Sequence, residues 1–373
     1  MTAYRQQALP AGITMRAVDN GNGLKMNVLQ AGDATAPVVL LLHGFPEIAY
    51  SWRKVMPALA EAGYRAIAPD QRGYGLTTGW DDRYEGDLAS FRITNLVRDV
   101  MGLLHALDIQ RVHAVVGHDF GAWVAGASAL MRPDVFPAVT WMSAPFAGPP
   151  ALDAPSVEAA WAKMDADLAS LPRPRKHYQR FYSLPQANAD MWKCPEGVHD
   201  FLRAYFHFKS ADWPGNQPYE LAGRSAEDWA DLPTYYIMDA DEGMAAQCAR
   251  EMPGPEHIAN CQWLPDEDLR VYSDAYTATG FQGGLQWYRC KFVDAFIAEE
   301  QVFAGRTIDQ PSAFISGAQD WGIHQTPGAM DAMRTKTCTD MRMCELIDGA
   351  GHWVQQEKPQ QAAAALLWFL SGL

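Results

Sequence analysis

The chain has 373 residues, 48% hydrophobic and 20% charged, which is enough to bury a large core and too apolar for a disordered segment. Thirty Lys and Arg against 44 Asp and Glu leave a formal charge of −14, a sign that repels phosphate backbones and anionic headgroups and argues against nucleic acid as a partner. No stretch reaches the roughly 20 apolar residues of a membrane span, and residues 1–13 carry no apolar run behind a basic cluster; no membrane partner is expected, and the expected location is cytoplasmic. Cys194, Cys248, Cys261, Cys290, Cys338 and Cys344 form no C-x-x-C pair and no zinc-type spacing with His, so they read as free packing residues, with no metal.

Residues 36–42 (APVVLLL) form a short, continuously apolar run that stops at His43-Gly44, the pattern of a strand buried on both faces of a parallel sheet. A helix is predicted over 52–62 and a second strand over 64–68. The alternation repeats with a helix at 93–107, a strand at 112–116, a helix at 121–131 and a strand at 139–142. Strands alternating with helices predict an α/β fold with a mostly parallel sheet flanked by helices. From 146 to 290 strand-like runs disappear, and Trp, Tyr, Pro and acidic residues are scattered through helical or irregular stretches. Sheet-type sequence returns at 312–316 and 343–347, and a helix is predicted at 360–370. The expected organisation is a core in two parts, 1–145 and 291–373, with an inserted helical lid over 146–290.

Three short motifs sit where strands end. Gly117-His118-Asp119-Phe120-Gly121 lies between a buried strand and a helix, where two glycines permit a sharp turn that pushes the middle side chain into a pocket. Alone, such a motif is better explained by an aspartate capping a helix. Context changes the reading: Asp320 follows the strand at 312–316 and His352 follows the strand at 343–347. Nucleophile, acid and histidine in that chain order are the catalytic arrangement of α/β hydrolases. His43-Gly44-Phe45-Pro46 follows the first buried strand, where this fold places one backbone donor of an oxyanion hole, so the N–H groups of Phe45 and Phe120 are the candidates.

The motifs HGFPEIAYSWR (43–53), APDQRGYG (68–75), GHDFGA (117–122), GFQGGLQWYR (280–289) and GAGHWVQQEKP (349–359) resemble the epoxide hydrolases of the α/β-hydrolase fold. The resemblance spans nearly the whole core and both ends of the lid. It fades over 210–264, where the lid is longer than the family usually carries. Two roles are open for that extra segment: shielding the pocket, or contacting a second copy of the chain in a homodimer. The resemblance implies two lid tyrosines that hydrogen-bond the epoxide oxygen, Tyr288 in QWYR and Tyr178 in HYQRFY, with Tyr182 four residues on as the alternative to Tyr178.

An aspartate nucleophile fixes the reaction class by the stability of its intermediate. Serine attacking an alkyl carbon would form an ether, whereas aspartate forms an ester that activated water can cleave. The expected route is attack by Asp119, ring opening assisted by Tyr178 and Tyr288, and hydrolysis by water activated by His352 with Asp320 behind it. No cofactor is required. Phe45, Trp123, Trp321 and Trp353 flank these positions and suggest a pocket for a small apolar epoxide. Haloalkane dehalogenation by the same nucleophile is the alternative chemistry, although the Phe120 side chain lacks the N–H that a halide would need. A non-catalytic ligand-binding protein on the same fold is the other alternative.

Overall fold

The computed structural model describes residues 9–373. In chain order its strands are β1 (Thr14–Asp19), β2 (Lys25–Ala31), β3 (Val38–Leu42), β4 (Arg65–Pro69), β5 (Ala114–His118), β6 (Val139–Met142), β7 (Arg175–His177), β8 (Ile237–Asp239), β9 (Ser312–Gly317) and β10 (Met341–Ile347). Eight of them form one sheet in the order β1-β2-β4-β3-β5-β6-β9-β10. β2 alone runs against its neighbours; every pair from β4 to β10 is parallel. All residues of β3, β5, β6 and β9 are buried, as a parallel sheet covered on both faces requires. Burying each of Leu40, Leu41 and Leu42 contributes about 1.5–3 kcal/mol relative to exposure.

These central strands lie within two residues of the bounds their apolar runs predict. The predicted helix over 52–62 is shorter: Ala49–Trp52 is a 3₁₀ turn and the α-helix is Met56–Glu61. Pro57, at the start of that helix, has no N–H to continue a helical ladder from upstream. The hairpin β1–β2 shows no apolar run because four of the six residues of β1 are exposed at the sheet edge.

Between β6 and β9 the chain is mostly helical, but it is not free of strands. β7 and β8 pair antiparallel over three residues each, with Arg175 opposite Asp239 and their side chains joined at 2.9 Å. Three residues are too few to show a period of two, so no alternation marks them in the sequence. The segment 210–264 packs on the chain's own core. Leu221, Tyr235 and Tyr236 are buried, the Tyr219 ring meets the Trp321 ring at 5.0 Å, and Arg224 donates to the Pro327 carbonyl at 3.0 Å. It thus covers the loop that carries Asp320. Elsewhere Arg53 pairs with Asp268 at 2.5 Å and Trp353 Nε1 donates to the Phe206 carbonyl at 2.8 Å, tying core loops to the inserted helices.

Helix Phe120–Met131 is buried almost throughout, and its small residues allow close approach. A Cβ on Gly126 would stand 2.6 Å from the Phe146 ring. Four of the six cysteines are buried packing residues, Cys261 is half-buried and Cys344, on edge strand β10, is exposed; none forms a disulfide. Among the described residues no helix is long and apolar enough to cross a membrane.

Candidate active site

Asp119 sits between β5 and helix Phe120–Met131 with φ 51° and ψ −117°, a conformation that costs a non-glycine residue about 1–3 kcal/mol. Its neighbours explain how so tight a turn closes. A Cβ on Gly117 would fall 2.1 Å from the Gly121 carbonyl oxygen, one on Gly121 would fall 2.2 Å from that of Leu42, and one on Gly44 would fall 2.3 Å from Asp119 Cβ. The Asp119 side chain does not cap its helix. Instead its Oδ1 accepts the Phe45 N–H at 2.9 Å. Phe120 is the first residue of the helix, where backbone N–H groups have no intrahelical acceptor, and it adjoins the same carboxylate.

β9 and β10 bring the other two motif residues to this point. His352 Nδ1 lies 3.1 Å from both carboxylate oxygens of Asp320, and Nε2 faces Asp119 Oδ2 at 3.4 Å without closing a hydrogen bond. Asp320 is fixed in turn by the Gly322 N–H at 2.7 Å and by Ser316 Oγ at 3.3 Å. Burial pushes both carboxyls up, but the His352 side chain and the Lys209 charge outweigh it and hold both below the ordinary carboxylate range. Both are therefore ionised at neutral pH.

Asp119 opens into a cavity of about 470 Å³ that is also lined by Phe120, Trp123, Trp161, Tyr178, Trp229 and Tyr288. Burial holds the hydroxyls of Tyr178 and Tyr288 far above the usual phenol range, so both stay protonated. Tyr178 Oη accepts from Gln179 at 2.9 Å and donates to Gln325 at 3.3 Å. Tyr288 Oη has no hydrogen-bond partner among the described residues, and its ring packs on Phe120 at 4.5 Å. Tyr182 lies behind the cavity, its hydroxyl donating to Tyr205 Oη at 3.3 Å. Of the four aromatics expected to flank the pocket only Trp123 lines it. Phe45, Trp321 and Trp353 are packed behind it, while Trp161 and Trp229 come from the inserted helices.

Five polar residues behind the site escaped the sequence reading. His118 Nδ1 meets Glu47 Oε2 at 2.6 Å with both side chains fully buried, and His118 Nε2 reaches the His352 carbonyl at 2.7 Å. Gln355 and Gln356 each donate to Glu47 Oε1 at 2.9 Å. Burial works against both charges, yet mutual attraction prevails: Glu47 is lowered and His118 raised. Lys209 is buried 4.8–5.6 Å from the ring centres of Tyr205, Tyr235, Tyr236 and Trp353, and its carbonyl accepts the His352 N–H at 2.9 Å. Glu47 and His118 lie inside recognisable motifs, where adjacency to Phe45 and Asp119 was the available signal. Nothing local marks Lys209. Among the described residues no group of three His, Cys, Asp or Glu is arranged to hold a metal ion.

Comparison with known proteins bears on this geometry. A family model of the alpha/beta hydrolase fold matches residues 37–359. Epoxide hydrolase A of Mycobacterium tuberculosis is 35% identical over 96% of this chain and 98% of its own length. Epoxide hydrolase B of the same organism is 32% identical over 91% and 93%. Among solved structures, an epoxide hydrolase from an endophytic Streptomyces superposes with a TM-score of 0.78 at 31% identity, covering 97% of this chain and 96% of that one. Epoxide Hydrolase A from Mycobacterium thermoresistibile gives 0.74 at 34% identity over 97% and 99%.

Proposed function

We infer the course of the reaction from one premise: the chain belongs to the epoxide hydrolases of the α/β-hydrolase fold. It is an enzyme that hydrolyses epoxides to vicinal diols. Residues 1–145 and 291–373 act as the catalytic core and 146–290 as the lid. Six free thiols are consistent with a reducing, cytoplasmic location.

The observation that carries the mechanism is the division of labour between the two oxygens of Asp119. Oδ1 is held by the Phe45 N–H, whereas Oδ2 faces His352 Nε2 at the cavity. Oδ2 attacks a ring carbon; the carbon–oxygen bond breaks, and its electron pair goes to the ring oxygen, which takes a proton from Tyr178 or Tyr288. An alkyl ester of Asp119 results. His352 Nε2 then takes a proton from water, which adds to Asp119 Cγ, while Asp320 stabilises the imidazolium. Negative charge develops on Oδ1, where Phe45 N–H already stands and Phe120 N–H adjoins. Collapse breaks the bond from Cγ to the alkyl oxygen, the departing alkoxide takes the proton from His352 to give the diol, and the proton left on the Asp119 carboxyl returns to the tyrosinate, which restores both groups. The aromatic walls of the cavity favour an apolar body for the substrate.

The test is diol formation from aryl and alkyl epoxides, with halide release from matched alkyl bromides measured beside it. Asp119→Ala is expected to lose diol formation by at least about 10⁴-fold. In a single turnover in heavy-oxygen water the label should enter the enzyme rather than the diol. A labelled first-turnover diol would overturn the ester intermediate, and halide release in place of diol would move the chemistry to dehalogenation.

A further inference from the structure

Hydrolysis of the ester asks more of His352 than its bond to Asp320. Nε2 must stand over the water that attacks Asp119 Cγ, and a reacting group misplaced by about 1 Å loses about 10²-fold in rate. The Asp320 contact fixes only the ring. The backbone that carries the ring lies in a loop, and the bonds that hold this loop come from the core and from the inserted chain. His352 N–H donates to the Lys209 carbonyl at 2.9 Å, and the His352 carbonyl accepts from Ser143 Oγ at 3.0 Å and from His118 Nε2 at 2.7 Å.

Glu357 holds the residues on either side of His352. Its Oε2 accepts the Gly351 N–H at 3.0 Å and its Oε1 accepts the Trp353 N–H at 3.0 Å. Oε2 also takes the N–H of Ala211 at 2.8 Å, from the start of the segment 210–264 and 146 residues away in sequence. Closing the helical turn Val354–Glu357 would need only the Trp353 N–H; the other two bonds reach outside that turn. The two loops also touch, since a Cβ on Gly351 would stand 2.6 Å from the Lys209 carbonyl oxygen and from the Ala211 nitrogen. The turn that carries the carboxylate is itself anchored: Gln355 and Gln356 both donate to Glu47, and Gln356 accepts from Arg53 at 3.0 Å. Attack on the epoxide needs none of this, because His352 takes no proton in that step.

We propose that Glu357 is a positioning residue for the second half-reaction: it seats His352 by holding both flanking N–H groups, and through Ala211 it makes the inserted segment 210–264 part of that seat. The segment then does more than cover the Asp320 loop. Without the carboxylate the amides of Gly351 and Trp353 turn to water, the loop gains freedom, and Nε2 loses its fixed distance to the attacking water. Attack on the ring carbon is spared, because Asp119 is held by the Phe45 N–H from a different loop.

The inference rests on the ester mechanism proposed above, and single-turnover kinetics separate the two. Glu357→Gln keeps the shape and leaves one accepting oxygen, whereas Glu357→Ala removes both. The assay is run at about pH 8.5, above the value of about 7 to which burial raises the Glu357 carboxyl, so that the wild-type group is ionised. With a good epoxide, ester formation followed by tryptophan fluorescence should stay within about threefold of the wild type, while ester decay should slow by about 10-fold in Glu357→Gln and by up to about 100-fold in Glu357→Ala. Mass spectrometry during turnover should find more ester on both variants than on the wild type. A mere loss of folded protein would lower the amplitudes of both phases and change neither rate. That result, decay at the wild-type rate, or equal slowing of both steps overturns the inference and leaves the ester mechanism standing; a wild type that forms no ester overturns both. In Glu357→Ala hydrogen exchange should rise at Ala211 together with Gly351 and Trp353, and a rise confined to the latter pair removes the inserted segment from the seat.

Discussion

The wall of the cavity and the layer directly behind it use the same residue types in opposite ways. Asp119 and Tyr178 line the cavity and His352 faces Asp119 at 3.4 Å; Glu47, His118 and Tyr182 lie behind them, with the two histidine rings 5.0 Å apart and the two tyrosine rings 5.4 Å apart. In the rear layer the charged groups are matched within the protein: both ring nitrogens of His118 are bonded, and Glu47 takes His118 on one oxygen and two glutamines on the other. Next to Asp119, His352 bonds Asp320 through Nδ1 and leaves Nε2 without a hydrogen bond. Chemistry follows the open valence, and rigidity follows the closed one.

Replacing each histidine breaks this comparison most sharply. In His352→Gln the first half-reaction needs no base, so the ester on Asp119 should accumulate and turnover should fall by about 10³-fold or more. Mass spectrometry of the variant after mixing with a good epoxide should find one substrate mass added to the protein. A variant that turns over freely, or one that never acquires the mass, removes His352 from the second step. His118→Gln should show no trapped ester, because His118 reaches only Glu47 and the His352 carbonyl.

The rear pair should register instead in stability. Breaking a buried ion pair by removing one partner costs about 3–5 kcal/mol, and Glu47→Gln should lower the unfolding midpoint accordingly. Its pH dependence has a definite sign. Glu47 is lowered from an ordinary value of 4.5, so its contribution is present above that pH and is lost as pH falls through the folded value. His118 is raised from 6.5, so its contribution is full below that pH and is lost as pH rises through the folded value. The gap in stability between wild type and Glu47→Gln should therefore be widest between about pH 4.5 and 6.5 and narrow on both sides. A gap independent of pH would mean that the pair is not ionised.

The same division explains what could be read from the sequence. Asp119 and Asp320 follow fully buried strands and His352 follows the edge strand β10, and the structure brings His352 to 3.4 Å from Asp119 and 3.1 Å from Asp320 because β5, β9 and β10 end on one side of a parallel sheet. The tyrosines came from the resemblance to a family, with no period or spacing behind them. Glu47 and His118 were visible as letters in motifs, but a partner 71 residues away is set by the order of strands, which no local pattern encodes. Lys209 ends helix Gly197–Phe208, and its aromatic surroundings come from four separate positions. β7 and β8 are held by pairing across 64 residues between Arg175 and Asp239, a contact of the same kind. Local pattern reports burial and turns; it is silent on which buried polar groups meet.

The two tyrosines four residues apart give the smallest expected effect and the finest test. Helical spacing puts Tyr178 and Tyr182 on one face, and only the surroundings distinguish them. Tyr178 lines the cavity with Asp119, whereas Tyr182 is fully buried with its hydroxyl on Tyr205. Tyr178→Phe should slow ester formation by about 10²-fold, the scale of a lost general acid or hydrogen-bond donor. Tyr182→Phe keeps the ring contacts with Phe45 and Tyr288 at 5.3 and 5.0 Å and removes one hydrogen bond, a loss of about 1 kcal/mol in stability. Its rate of ester formation, followed by stopped-flow quenching of tryptophan fluorescence, should stay within about threefold of the wild type. If the two variants exchanged these behaviours, the proton donor would be Tyr182, and the lid helix would have to turn its hydroxyl away from Tyr205 to reach the substrate.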